Sequence, residues 1–176
     1  MEVEIKIRLF SETDMAKLEL ALASPLIRIE DQDNVFFEGV NKELISQQLV
    51  FRIRIIQTTG SEPKAVVALK GNAVLVDGIA HVEEEEQLID VNIAYQIIEN
   101  PNLIPEAAQN HRLLKKIVDR VPCPEGYIHM GRFRNLRHKY QWNEYEVELD
   151  RTMYPHGTAY EAEIESLDPV LAKERL

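Results

Sequence analysis

Charged and apolar residues alternate at the start of the chain, and this alternation constrains the fold more than any other feature. Residues 2–6 read Glu-Val-Glu-Ile-Lys. Because successive side chains of a β-strand point to opposite faces, Glu2, Glu4 and Lys6 share one face of the predicted strand. Carboxylate oxygens are hard ligands that suit Mg²⁺ or Mn²⁺, and such ions commonly bind a substrate's phosphates as well. The competing interpretation is an ordinary half-buried strand with solvated charges outside.

The same alternation recurs in three further segments, and their charges are sorted by sign. Residues 51–55 carry two arginines on one face, whereas residues 145–150 and 160–165 carry carboxylates. An ordinary outer sheet face mixes both signs within each strand. Strands that each carry charges of one sign favour a closed sheet whose polar face points inward around an anion and its metals. The alternative is a conventional sandwich with an apolar interior.

Periodicity and turn residues predict an α+β fold that is mainly β. We expect an eight-stranded antiparallel closed β-barrel with helices packed outside it. The predicted strands span 2–10, 27–38, 49–57, 64–70, 79–88, 127–142, 144–151 and 158–166. The predicted helices run from the Ser11 cap to about Ala23, over 90–99 and over 105–120.

Composition limits the function classes. The 176 residues predict one domain, 1–176, and the formal net charge of −10 excludes a broad basic surface for nucleic acid. The single cysteine, Cys123, has no intrachain disulfide partner, which favours a reducing compartment. With no apolar leader and no membrane-spanning run, a cytoplasmic protein that binds no membrane is expected. The sequence leaves the oligomeric state open.

These motifs together resemble the CYTH superfamily, the triphosphate tunnel metalloenzymes, and above all its plant single-domain type. Glu2-x-Glu4-x-Lys6 is similar to the family's ExExK signature. The segments that follow it in the family's order and spacing are 51–54, 67–70, 78–86 and 131–165. The resemblance implies eight antiparallel strands closed into a tunnel. It also implies hydrolysis of short triphosphate compounds with Mg²⁺ or Mn²⁺.

The resemblance further implies roles for individual residues. Its phosphate-binding positions are matched by Lys6, Arg52, Arg54, Lys70 and Arg137. Its metal-binding carboxylates are matched by Glu2, Glu4, Glu83, Glu85, Glu148, Asp150, Glu163 and Glu165. Lys6, Glu163 and Glu165 are the candidate catalytic residues, and which carboxylate acts as base stays open.

Two parts of the resemblance carry alternatives. In the acidic segment, Glu83 and Glu85 match best, but a one-residue shift in register would place Glu84 and Glu86 there instead. The chain is also expected to be short at its carboxyl end. Family members continue past the last acidic strand with a helix and a segment that carries another lysine.

The leading hypothesis is a metal-dependent hydrolase that converts inorganic triphosphate to pyrophosphate and phosphate. Triphosphate is strongly anionic, so its hydrolysis depends mainly on positioning and electrostatic stabilisation. Arginine forks bind phosphate oxygens through two parallel hydrogen bonds, which suits that task. The alternatives are hydrolysis of thiamine or nucleoside triphosphates, cyclisation of ATP, and a non-catalytic module that binds polyphosphate or nucleotide.

Overall fold

Strands make up most of the structure, as the alternation of charged and apolar residues predicts. The computed structural model describes the backbone of residues 3–22, 25–76 and 79–166, and their side chains except at 3–5, 72–76, 79–83, 165 and 166. The strands are β1 (Val3–Leu9), β2 (Leu26–Gly39), β3 (Val50–Thr58), β4 (Lys64–Val76), β5 (Ile79–Ile89), β6 (Tyr127–Trp142), β7 (Tyr145–Tyr154) and β8 (Gly157–Ser166). The α-helices are α1 (Glu12–Leu22), α2 (Glu43–Ser46), α3 (Val91–Glu99), α4 (Ile104–Ala107) and α5 (Arg112–Arg120).

The eight strands form one antiparallel sheet in the order β1-β8-β7-β6-β2-β3-β4-β5. The mainly β fold with eight antiparallel strands is therefore confirmed. The predicted closure is wrong in detail, because β1 and β5 end the order and do not pair over the described backbone. Alternation along a strand fixes which side chains share a face. Closure depends instead on the tilt and stagger summed over all strands, and no single strand encodes these.

The chain divides into two compact units, of which the first comprises Met1–Gln32, Thr58–Ser61 and Phe133–Leu176. Here the strands β1, β8, β7 and β6 are consecutive neighbours. One face of these strands is apolar, and its buried residues pack against Met15 of α1. They are Tyr145, Val147, Leu149, Ala162 and Ile164. The opposite face of the same strands carries the charged residues.

The second unit comprises Asp33–Gln57 and Glu62–Arg132. Its core lies between β2 to β5 and the helices α2 to α5. The rings of Phe37 and Phe51 lie 5.1 Å apart at its centre, and Phe51 is completely buried. The helices contribute fully buried side chains such as Leu114 and Ile117.

The segment predicted as one helix over 105–120 is interrupted. After α4 and a 3-10 turn at Ala108–Asn110, His111 takes an extended conformation and becomes the N-cap of α5. Its Nδ1 accepts a hydrogen bond from the amide of Leu114 at 3.2 Å, and its Nε2 lies 3.0 Å from the carbonyl oxygen of Leu88. Apolar periodicity continues across this point, so only the cap reveals the break.

Within the part of the chain that the structure describes, none of the helices has the length and apolar character needed to span a membrane.

Replacing Phe51 with alanine is expected to lower the free energy of unfolding by about 3–5 kcal/mol, because it leaves a cavity in the core. Phe10, whose exposed fraction is 96%, is the matched control. Its replacement by alanine should change the free energy by no more than about 0.5 kcal/mol. Urea denaturation measures both values, and equal losses would contradict the assigned core.

Candidate functional site

Strand register brings the charged residues of the first unit into one row. Lys6 of β1 lies opposite Glu163 of β8, which lies opposite Glu148 of β7, which lies opposite Lys139 of β6. Directly opposed residues of antiparallel strands have Cβ atoms about 4.5–5.5 Å apart. A positive, two negative and a positive side chain therefore follow one another across four strands.

Arg137 lies at the centre of this face and binds three carboxylates. Its Nε and Nη2 donate to the two carboxylate oxygens of Asp150 at 2.7 and 2.6 Å. Nη2 also donates to Glu163 at 2.9 Å, and Nη1 pairs with Glu148. The Arg137 side chain is 13% exposed, and those of Glu148, Asp150 and Glu163 are 7%, 5% and 8% exposed. The group is thus almost fully removed from water.

These contacts decide the protonation of Arg137. Burial acts to lower the pKa of a guanidinium, because it disfavours the charged form. The hydrogen bond and charge of Asp150, with the charges of Glu148 and Glu163, outweigh burial and raise the pKa of Arg137 above its ordinary value. Arg137 therefore remains a cation inside the protein.

Lys6 connects the first strand to this group. Its ammonium pairs with Glu163 and lies 3.8 Å from Glu161, while its side chain remains about half exposed, at 48%. The structure therefore brings together five of the residues that the resemblance implicates. These are Lys6, Arg137, Glu148, Asp150 and Glu163.

Lys139 belongs to the same face, although the sequence analysis did not identify it. Its Nζ lies 2.5 Å from Glu148 and 2.8 Å from Glu146, and its side chain is 13% exposed. Burial alone would lower its pKa, but hydrogen bonds to the two carboxylates raise it. The signal was available in the alternation, because Lys139 follows Arg137 at a spacing of two. We call Lys6, Arg137, Lys139 and their five carboxylate partners the carboxylate cluster; the partners are Glu146, Glu148, Asp150, Glu161 and Glu163.

A chain of uncharged hydrogen bonds lies on β2, β6 and β7 in the same unit. Thr152 donates to Asn135 at 3.2 Å, Asn135 to Gln32 at 3.4 Å, and Gln32 to Glu30 at 2.8 Å. Arg28 donates to the other oxygen of Glu30 at 2.6 Å. Burial acts to raise the pKa of Glu30, but these two hydrogen bonds outweigh it and lower that pKa. Arg28 and, to a smaller extent, Gln32 thus hold Glu30 as an anion.

In the second unit, basic residues of β3 and β4 form a separate charged group with two glutamates of β5. Arg52 of β3 donates from Nη2 to Glu84 at 3.2 Å and to Glu86 at 3.1 Å. Lys70 of β4 lies 3.3 Å from the other oxygen of Glu84. Arg54 donates to Asn34, whose side-chain oxygen is 3.1 Å away. We call Arg52, Arg54, Lys70, Glu84 and Glu86 the arginine cluster.

Arg52 is the member of this cluster with unused hydrogen-bonding capacity. Its side chain is 16% exposed, and its Nε is buried without a hydrogen-bond partner among the described residues. Burial, followed by repulsion from Arg54, lowers the pKa of Arg52 to about 10. A buried donor without an acceptor is costly, so an anionic ligand here would stabilise the protein.

The acidic segment of β5 has the alternative register. Glu84 and Glu86 face Arg52, whereas Glu85 pairs with Lys116 and, at 3.0 Å, with Arg112 of α5. The hydrogen bond from Lys116 is the main cause that lowers the pKa of Glu85. Of the two registers that the sequence leaves open, the structure therefore has the one that places Glu84 and Glu86 beside Arg52. Alternation cannot distinguish the two registers in a run of four glutamates.

Four predicted metal ligands lie wholly or partly outside the described residues. Glu2 is not described, and the side chains of Glu4, Glu83 and Glu165 are not described either. Backbone register does place Glu4 opposite Glu165. Glu4 and Glu165 are thus paired on the same two strands as Lys6 and Glu163, two residues away along each strand.

The mainly β fold thus has strands whose polar faces are sorted by the sign of their charge. The chain matches the CYTH domain over residues 1–175, and it belongs to that family. The family predicted from the ExExK signature and its companion strands is thereby confirmed.

Solved structures agree with this assignment. The chain is 34% identical to HpAC1 from Hippeastrum, for which a dominant triphosphatase activity is described. The match covers 99% of this chain and 83% of HpAC1, with a TM-score of 0.88. A candidate adenylate cyclase from Bacillus halodurans is 19% identical, with coverage of 99% of this chain and 84% of that one and a TM-score of 0.73. The second likeness shows the fold alone. No curated protein matches the chain.

Triphosphate tunnel metalloenzymes of the CYTH family use divalent metal ions, so the fit of such an ion can be tested. Over the described side chains, no group of three or more acidic, histidine or cysteine residues is arranged to hold a metal. Three buried carboxylates converge on Arg137 instead. Carboxylate oxygens are the ligands that hard divalent ions prefer, and each carboxylate has about four acceptor positions. The donor atoms are therefore of the chemical kind that a divalent ion prefers, and in this structure Arg137 occupies them.

Replacing Lys139 with methionine is expected to cost about 3 kcal/mol of unfolding free energy, because it leaves buried Glu148 without one of its cations. The matched control is Lys17→Met, which removes a surface pair with Asp14 that is 73% exposed on the lysine side. That change should cost under about 1 kcal/mol. Denaturant titration of both variants tests the difference, and a loss for Lys139→Met as small as the control's would remove Lys139 from the cluster.

Proposed function

We propose that the protein hydrolyses inorganic triphosphate with the help of Mg²⁺ or Mn²⁺. The observation that carries this proposal is the presence, in one chain, of an arginine cluster around largely buried Arg52 and of a carboxylate cluster that already surrounds a cation. These are the two kinds of group that a metal-bound polyphosphate requires. Membership of the CYTH family and the triphosphatase activity described for HpAC1 support the same reaction.

The arginine cluster is our candidate for phosphate binding. Arg52 has a buried Nε that a phosphate oxygen would satisfy, and Arg54 and Lys70 add positive charge. Lys6 and Arg137 complete the proposed set of phosphate ligands. Arginine forks and compact ammonium groups act differently here, because the forks fix orientation and the lysines supply charge.

The carboxylate cluster is our candidate for metal binding. Bound there, a divalent ion would supply Lewis-acid stabilisation of charge on the phosphoryl oxygens. Three of its proposed ligands are the buried carboxylates around Arg137. The complete proposed set is Glu2, Glu4, Glu148, Asp150, Glu163 and Glu165, together with Glu84 and Glu86, the members of the acidic strand that face Arg52.

The proposed reaction breaks one phosphoanhydride bond. The oxygen of water bonds to the terminal phosphorus, pyrophosphate leaves, and water gives up one proton. We assign the acceptance of that proton to a carboxylate of Glu163 or Glu165. Lys6, which pairs with Glu163, holds that carboxylate in place and offers positive charge to the reacting phosphate.

The decisive assay measures phosphate released from inorganic triphosphate in the presence of Mg²⁺, Mn²⁺ or EDTA, with ATP and thiamine triphosphate in parallel. We expect release that depends on metal and is fastest with inorganic triphosphate. Faster release from either organic triphosphate would replace the proposed substrate within the same chemistry. Stabilisation by triphosphate without any release would identify a binding module instead.

Replacing Arg52 with alanine is expected to lower kcat/KM for triphosphate by roughly 10²-fold or more, because a preorganised donor to the phosphate is removed. Lys6→Ala should produce a comparable loss. Lys17→Ala, a change on the exposed side of α1, is the control and should leave kcat/KM unchanged. Circular dichroism checks the fold of all three variants. A folded Arg52→Ala enzyme with wild-type turnover is incompatible with the assigned phosphate site.

A further inference from the structure

We infer that Arg137 stands in for the divalent cation in the metal-free protein and is released from the carboxylates when the metal binds. This inference rests on the proposed function, because it concerns the metal that the proposed reaction uses. It assigns Arg137 a role in metal affinity in addition to its proposed contact with phosphate.

The number of carboxylates around Arg137 exceeds what a structural ion pair needs. One carboxylate satisfies an arginine fork through two parallel hydrogen bonds, and Asp150 already makes both. Glu148 and Glu163 are additional acceptors from a neighbouring position and a neighbouring strand. Three buried carboxylates thus converge on one guanidinium, and two of them have a second cationic partner, Lys139 for Glu148 and Lys6 for Glu163.

A second arginine on β6 shows the ordinary arrangement. Arg134, three residues before Arg137, donates to Asp31 and has a side chain that is 63% exposed. An exposed pair of this kind contributes little to stability. The burial and the threefold contact of Arg137 are therefore not general properties of arginines on this strand.

The two cations would compete for the same atoms. The carboxylate oxygens that Arg137 contacts belong to Glu148, Asp150 and Glu163, and carboxylate oxygens are the ligands that a hard divalent ion prefers. An incoming ion has the same sign as Arg137 and uses the same acceptor oxygens, so the two cations compete. Once displaced, the guanidinium is free to bind a phosphate oxygen.

The test compares Arg137→Gln with Arg134→Gln, in the absence of substrate. Mn²⁺ affinity is measured by calorimetry, and thermal unfolding is followed in EDTA and in Mn²⁺. In EDTA, Arg137→Gln should lower the midpoint by roughly 10 °C, because buried carboxylates lose their cation. Its Mn²⁺ affinity should rise roughly tenfold through removal of a like charge at contact distance. Mn²⁺ should also raise its midpoint more than it raises those of wild type and Arg134→Gln.

Mn²⁺ affinity of Arg137→Gln that equals or falls below the wild-type value would overturn the inference. Absence of Mn²⁺ binding in both proteins would overturn it together with the proposed metal site. If Arg137→Gln folds only in Mn²⁺, the metal has replaced the guanidinium and the inference is supported. If it folds in neither condition, Arg137→Lys takes its place. Lysine cannot bind three carboxylates at once, so an intermediate rise in Mn²⁺ affinity is expected, and no rise counts against the inference.

Turnover of the wild-type protein is measured separately, which keeps the two proposals distinguishable. Hydrolysis of triphosphate without a change of Mn²⁺ affinity in the variant would remove the inference and leave the proposed function. A rise in Mn²⁺ affinity in the variant without hydrolysis by the wild-type protein would support the inference and remove the proposed function.

Discussion

Neutralisation of buried charge is the constraint on which the rest of this structure depends. Glu148, Asp150 and Glu163 retain exposed side-chain fractions of only 5–8%. An isolated charge at that depth costs several kcal/mol even after relaxation, which is comparable with the whole stability of a domain. The sheet can hold these carboxylates only because its register places Arg137 and Lys139 on the neighbouring strand. Strand pairing and charge pairing therefore specify the same fold.

Each of the two units satisfies this constraint, but with opposite signs. In the first, one guanidinium lies among carboxylates, whereas in the second Glu84 and Glu86 accept from Arg52. The second arrangement is less complete, since Arg52 keeps a buried Nε without a partner among the described residues and its pKa is lowered to about 10. The two clusters thus differ in their pairing. In the carboxylate cluster three carboxylates converge on one guanidinium, whereas Arg52 has a buried donor without a partner among the described residues.

Alternation predicted much of the candidate site because a strand has a strict period of two. Lys6, Glu148 and Glu163 lie on one face as the alternation predicts, and the pairing register then brings them into one row. At other positions alternation carries no information, for physical reasons. Four successive glutamates in β5 fit either register, and only the partners Arg52 and Lys116 decide it. Sheet closure depends on the tilt and stagger of all the strands together, and the break at His111 depends on a local helix cap. Hydrophobic periodicity carries information about neither feature.

Internal compensation has a consequence for how ligands bind. A cluster that already pairs its charges gives up those contacts when a ligand enters, so the net affinity is a difference between two sets of interactions. Release of Arg137 by a divalent ion would also make a guanidinium available to phosphate. Metal binding would then strengthen phosphate binding, and by thermodynamic reciprocity phosphate would strengthen metal binding by the same factor. On this view Arg137 couples the two ligands through its own exchange between carboxylates and phosphate, without a larger change in the sheet that holds it.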